Sequence, residues 1–135
     1  MGVLKSMRKD PLQLLEAENG IRNKKFLGLF IPLYNVYSNK LKQDNAFDFH
    51  DLIINAESSK EILDYKYDYI LIDEYQDINY SRLLLVKKLI ENNNPKVFCV
   101  GDDWQSIYRF TGSEISYLYN FDKVFNTKSY KVNLT

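Results

Sequence analysis

The sequence predicts an α/β fold, a parallel sheet flanked by helices, preceded by a helical N-terminal segment. Three observations carry that prediction. The first is Tyr69-Ile-Leu-Ile72, an unbroken apolar run that stops at adjacent carboxylates, Asp73 and Glu74. Short continuous runs rich in β-branched and aromatic residues suit strands covered on both faces, as in parallel sheets. The second is a similar run, Val97-Phe-Cys-Val100, which stops at Gly101-Asp102-Asp103. Between them lies the third, a broad apolar set at helical spacing: Leu83, Leu84, Val86, Leu89 and Ile90. Strand, helix and strand make a βαβ unit, so the strands run parallel with a right-handed crossover. Both acidic ends then emerge on one edge of the sheet, where open α/β sheets bind ligands.

The bounds agree with that architecture. At 135 residues the chain fits one domain with a real core. Lysine plus arginine equals aspartate plus glutamate, 18 of each, which argues against a basic coat and leaves a local basic surface open. The single cysteine, Cys99, excludes a disulfide framework and fits a reducing cytosol, so a cytoplasmic location is expected. No stretch approaches transmembrane length and residues 1–11 have no apolar signal-peptide core, so no membrane partner is expected. The unusual number is 11 tyrosines, which with 8 phenylalanines makes aromatics plentiful.

Taken in order, Pro11 opens a short helix over Leu12–Ala17, and Asn19-Gly20 closes it. Arg8-Lys9 and Lys24-Lys25 read as solvated ends rather than a phosphate site. Phe30, Leu33, Tyr34, Tyr37 and Leu41 recur at spacings of three and four, which predicts an amphipathic helix over Phe26–Leu41. Pro32 either kinks that helix or marks its true start. Lys40–Asn45 reads as a loop. Asp48 is the N-cap of a helix to about Glu57, Ser58-Ser59 breaks it, and Lys60–Tyr65 adds one more turn. The lone His50 has no Cys or His at a metal spacing and reads as a surface or capping residue. Asp77, Asn79 or Ser81 caps the crossover helix, which runs to about Glu91 and stops at Asn92-Asn-Asn-Pro95. Trp104–Gly112 is too polar and aromatic for a plain strand, and Trp104 itself is assigned to packing. Ser113 is expected to cap a helix over Glu114–Tyr119, with Phe121–Phe125 a short connection or turn. Lys128–Leu134 alternates in part, which suggests a third strand.

An apolar strand ending in Asp-Glu is the pattern of a nucleotide-hydrolysis site. Phosphoryl transfer needs a divalent ion on the phosphates, an oriented water and charge stabilisation. Asp73 is placed to hold magnesium, partly through water because that ion dehydrates reluctantly. Glu74 is placed to orient and deprotonate the attacking water. Gln105, beyond the second strand, is placed to reach the terminal phosphate. The plainer reading is a polar strand end that caps a loop, since short motifs often match by chance.

Two longer strings favour the chemical reading. Ile70-Leu-Ile-Asp-Glu-Tyr-Gln-Asp77 resembles the second conserved motif of the UvrD/Rep/PcrA family of superfamily 1 DNA helicases. Val100-Gly-Asp-Asp-Trp-Gln-Ser-Ile-Tyr-Arg-Phe-Thr-Gly-Ser113 resembles the third, in the right order and at the right separation, with wording closest to the helicase IV branch. Phe47-Asp-Phe-His-Asp-Leu-Ile53 is similar to the segment that precedes the second motif there. The resemblance implies a partial RecA-like (P-loop NTPase) fold. Residues 44–135 would be the C-terminal part of the first RecA-like ATP-binding domain, and residues 1–43 a helical segment assignable to its inserted helical subdomain. It implies ATP-driven translocation on single-stranded DNA and duplex unwinding, in repair or recombination, with Mg2+ and ATP as cofactors. The partners would be single-stranded or partly duplex DNA and the remainder of the helicase. By the same resemblance Asp73 takes the magnesium, Glu74 is the catalytic base, and Gln105 contacts the γ-phosphate. Tyr108, Arg109 and Phe110 fall on DNA-binding positions; a ring stacks on any base, at roughly 1–3 kcal/mol, without demanding sequence. Thr111 departs from the arginine that many members carry.

No Gly-x-x-x-x-Gly-Lys-Ser/Thr string occurs, so the phosphate cradle and its lysine are missing. In the family that loop lies upstream, and the second motor domain lies downstream. The expectation is therefore a piece of a helicase that does not hydrolyse ATP by itself. Three other readings stay open: a subunit of an ATP-dependent nuclease sharing the motor motifs, a non-enzymatic remnant or interaction module, and an unrelated magnesium-dependent phosphatase. The last leaves the Gln-Ser-Ile-Tyr string unexplained.

Overall fold

The computed structural model describes residues 2–133, without the side chains of Ile62, Leu63, Asn93 and Thr111. Helices α1 (Gly2–Ser6), α2 (Pro11–Ala17), α3 (Ile21–Gln43), α4 (Phe49–Ser58) and α5 (Lys60–Asp64) come first. Strand β1 (Tyr69–Ile72), helix α6 (Tyr80–Asn93) and strand β2 (Lys96–Cys99) follow, then the short helices α7 (Ser116–Tyr119) and α8 (Phe121–Phe125). The class is mixed helix and strand, with a small parallel sheet of two strands.

Capping chemistry explains the N-terminal boundaries. Pro11 occupies the first turn of α2, and the Asp10 side chain accepts from the Leu12 N–H at 3.0 Å. Gly20 opens α3 instead of closing α2, and its N–H donates to Glu18 Oε1 at 2.8 Å. Helix α3 therefore begins at Ile21, not Phe26, and Pro32 lies inside it rather than at its start. Its missing N–H removes the helical bond that residue 32 would donate to the Gly28 carbonyl. Ile31 is buried at the centre of the inward stripe, with Phe30, Tyr34, Tyr37 and Leu41 half-buried beside it. Leu33, expected in that stripe, is 63% exposed, because two residues beyond Ile31 is about 200° around the helix.

The start of the chain is tied to its middle. Lys5 Nζ donates to Asp48 Oδ2 at 2.8 Å and to Asp51 Oδ1 at 2.7 Å. Asp48 also caps α4 in a reciprocal capping box with Asp51. Burial works against its charge, but bonds from Lys5, the Asp51 N–H and Tyr37 bring its carboxyl down to about 2. Ser81 Oγ donates to the Ser6 carbonyl at 2.8 Å, so α1 is pinned to α4 and α6 together.

The βαβ prediction holds in order and sense. Strands β1 and β2 are parallel, with Tyr69 opposite Lys96 and Ile72 opposite Cys99. Asn79 is the residue that caps α6, accepting from the Arg82 N–H at 3.0 Å. Asn94 ends the helix in a left-handed conformation. Cover on both faces is not observed. Tyr69, Leu71 and Phe98 are 62%, 73% and 61% exposed, while Ile70, Ile72, Val97 and Cys99 turn inward. An unbroken apolar run still alternates its faces, and only one face is covered among the described residues.

The core centres on Tyr75, Ile78 and Leu83, with Ile72, Val86, Cys99, Tyr117, Leu118, Phe121, Val124 and Phe125 packed against it. Phe121–Phe125, read as a turn, is a helix because one turn brings both rings to Tyr75, at 5.8 and 6.4 Å. Ser113 does not cap a helix; it is buried in an antiparallel bridge with Asn79, and α7 starts only at Ser116. The third strand is absent over residues 128–133, which are irregular; Leu134 lies outside the described residues. Among the described residues no helix is long and apolar enough to cross a membrane.

Candidate functional site

The parallel ladder continues past its strands. The Val100 N–H donates to the Ile72 carbonyl at 2.8 Å, and the Tyr75 N–H donates to the Val100 carbonyl at 2.9 Å. Those two bonds bring the Asp73-Glu74 and Asp102-Asp103 ends to one rim, as the topology predicts. Asp73 is exposed, and its Oδ1 accepts from the Glu74 N–H at 2.9 Å. Glu74 is held in the left-handed region at φ 50°, ψ 42°, which costs a non-glycine residue about 1–2 kcal/mol. The turn that follows, Tyr75–Asp77, buries Tyr75 and Gln76 while Glu74 stays exposed.

Gln76 joins the two acidic ends. Its Nε2 donates to Glu74 Oε2 at 2.6 Å, and its Oε1 accepts from the Asp102 N–H at 3.0 Å. Asp102 in turn caps the next tight turn, accepting from the Trp104 N–H at 3.0 Å and from Gln105 Nε2 at 2.7 Å. Glu74 and Gln105 therefore share one chain of hydrogen bonds. Gly101 lets the loops approach: a Cβ there would fall 2.6 Å from Gln76 Oε1 and 3.1 Å from the Gln76 backbone nitrogen. Asp103 is engaged elsewhere, accepting from the Tyr119 hydroxyl at 2.7 Å. Burial, and then the nearby Glu74 charge, raise Asp77, with Arg82 opposing. Among the described residues no cluster of three or more His, Cys, Asp or Glu side chains forms a metal cage.

Beyond Gln105 the chain makes a second tight turn, Arg109–Thr111, which Gly112 closes at φ 92°. Tyr108 is 47% and Phe110 75% exposed, with ring centroids 6.0 Å apart. Arg109 is exposed between them. Trp104, assigned to packing from the sequence, is 93% exposed instead. It lies on the tight turn that Asp102 caps, Asp103–Gln105, in which no residue is buried. The side chain of Thr111 lies outside the described residues. Gln76 and Gly101 were not picked out from the sequence. The Gly-Asp pair directly after the second apolar run was the available signal, since a glycine there marks close backbone approach.

The family model for the UvrD/REP helicase N-terminal domain matches residues 2–126. The chain belongs to this family. The resemblance carried by the two motif strings is borne out, and the UvrD/REP match extends through the N-terminal helices as well. The chain is 40% identical to DNA helicase IV of Escherichia coli over 97 residues, which cover 68% of this chain and 14% of that protein. It is 42% identical to DNA helicase II of Rickettsia typhi over 100 residues, covering 69% and 15%. To ATP-dependent DNA helicase PcrA of Bacillus subtilis it is 38% identical over 98 residues, covering 67% and 13%. The chain thus matches about one-seventh of the length of these curated relatives.

Proposed function

We propose that this chain supplies the magnesium-nucleotide edge and a single-stranded DNA contact of an ATP-dependent DNA helicase. In this reading residues 44–135 belong to its first RecA-like motor domain. The observation that carries the proposal is the shared rim, where exposed Glu74 and exposed Gln105 are linked through Gln76 and Asp102. Asp73 offers an exposed carboxylate with no protein cage around it among the described residues. That donor set fits magnesium, which keeps several waters and is completed by substrate phosphates. When bound, the ion neutralises charge on the transferring phosphate. Glu74, aimed by Gln76, takes the proton of the attacking water. Gln105 reads the terminal phosphate, and Tyr108, Arg109 and Phe110 meet the DNA on the turn that follows. A phosphate-binding loop is supplied from outside these 135 residues, so the chain alone does not hydrolyse ATP.

Magnesium titration of the labelled chain, followed by side-chain carboxyl NMR, tests the edge. A saturable shift at Asp73 at millimolar magnesium, abolished by Asp73→Asn, is expected. Shifts confined to Asp102 and Asp103, or no saturable shift at all, would sink the assignment.

A further inference from the structure

We propose that Gln76 is a positioning residue that locks the direction of Glu74 to the position of the Gln105 loop. The proposal rests on the reading of Glu74 as the base and extends it to a side chain that touches neither nucleotide nor DNA in that reading.

Gln76 is 1% exposed, yet both ends of its amide are spent on the rim. Its nitrogen donates to Glu74 and its oxygen accepts from the Asp102 N–H. An amide side chain donates at one end and accepts at the other in a fixed plane. Glutamate would keep the acceptor and lose the donor; methionine would keep the length and lose both. Glu74 is exposed and has water to solvate it, so its stability does not require a buried donor. What the buried donor adds is direction. Glu74 is the left-handed residue that opens the Tyr75–Asp77 turn, its side chain makes no cap bond to that turn, and Gln76 supplies the constraint on its direction.

The other end leaves little slack. Gly101 lies so close that any side chain there would press on the amide oxygen at 2.6 Å, so the loop backbone is seated directly on Gln76. From Asp102 the connection passes to Gln105 through its side-chain amide, and from the Gln105 carbonyl to the Ile107 N–H at 2.8 Å. Tyr108 is the next residue. A shift of the Glu74 carboxylate therefore pulls on the loop that bears the phosphate-sensing glutamine and the exposed rings. Coupling of this kind needs a continuous physical link whose parts move together, and the amide of Gln76 bridges the two loops directly.

A double-mutant cycle on the 135-residue chain, read by NMR, tests the lock. Glu74→Ala is expected to shift the Asp102 backbone amide and the Gln105 side-chain amide. In a Gln76→Met background the same change is expected to leave both signals still, a non-additivity that a merely space-filling Gln76 would not produce. If Gln76→Met does not fold, Gln76→Glu serves: slow hydrogen exchange at the Asp102 amide persists, while the response of Gln105 to Glu74→Ala disappears. Additive shifts in a folded variant, or no response of Gln105 in the wild-type chain, overturn the proposal. The magnesium experiment fails or succeeds separately. An inert Asp73 with an intact cycle removes the nucleotide reading and keeps the lock, and the converse removes the lock alone.

Discussion

Two aromatic clusters in this chain meet opposite fates. Tyr75, Phe121 and Phe125 close on one another, with Phe121 edge-on to Tyr75 at 5.8 Å and Tyr75 fully buried. Trp104, Tyr108 and Phe110 stay in solvent, the tryptophan at 93% exposure. Residue type does not separate them, and topology does. The first cluster joins the turn after β1 to the short helix α8. The second hangs on two tight turns beyond β2, the first capped by the Asp102 side chain and the second closed by Gly112. Exposed rings held on a rigid turn are available for a ligand, whereas the same rings on a returning helix are committed to the fold.

The largest expected effect breaks the buried cluster. Tyr75→Ala removes a ring with no exposure and should cost about 3–5 kcal/mol, the usual range for deleting a buried aromatic. Tyr75→Phe keeps the ring and drops a hydroxyl that has no hydrogen-bond partner among the described residues, so it should cost almost nothing. Urea unfolding followed by circular dichroism measures both. Equal losses for the two variants would mean that the hydroxyl, not the ring, holds the cluster.

Alkaline pH should sharpen the contrast next. Burial raises the Tyr75 phenol above its ordinary value of 10.0, with Cys99 and Tyr117 adding to the effect. Burial also pushes the Cys99 thiol from 9.0 up to about 12. Both folded values are raised, so the folded chain holds protons that the unfolded chain releases. Their contribution is intact below pH 9 and is lost as pH rises from there toward 12 and beyond. Urea midpoints should be flat from pH 7 to 8 and fall between pH 9 and 11, and Cys99 should resist thiol reagents until then. A midpoint that does not move across pH 9 to 11 would show that these groups are open to water.

How much of this was legible in the sequence follows the same divide. Periodicity found the βαβ unit and its shared rim, because parallel strands with short apolar runs leave few other arrangements. It failed where a contact far along the chain decides. Ser113 is drawn into a bridge with Asn79, and Phe121–Phe125 becomes helical to reach Tyr75. At the site, Asp73, Glu74 and Gln105 could be named from strand ends and motif strings. Gln76 could not, because an amide in a polar tetrad gives no sign that it will be buried and bridge to a loop 26 residues on. Trp104 was misjudged because aromatics are usually core, and nothing local to Asp102-Asp103-Trp104 announces that the turn points outward.

The smallest expected change in stability is also the most informative about the exposed cluster. Phe110 is 75% exposed and its ring partner is Tyr108, itself about half in solvent, so Phe110→Ala should alter folding stability by no more than about 0.5 kcal/mol. If the ring stacks on a base, the same change should weaken single-stranded DNA binding by about tenfold, within the roughly 1–3 kcal/mol that base–aromatic stacking contributes. Binding of a fluorescent oligothymidine at low salt, read by anisotropy, measures the second quantity, and urea unfolding the first. Salt must be held fixed between variants, because a phosphate contact by a cation such as Arg109 would respond to ionic strength and stacking far less. Unchanged DNA affinity with unchanged stability would leave the rings without a DNA role. A large stability loss would place Phe110 with Tyr75, as a core residue, and erase the division between the two clusters.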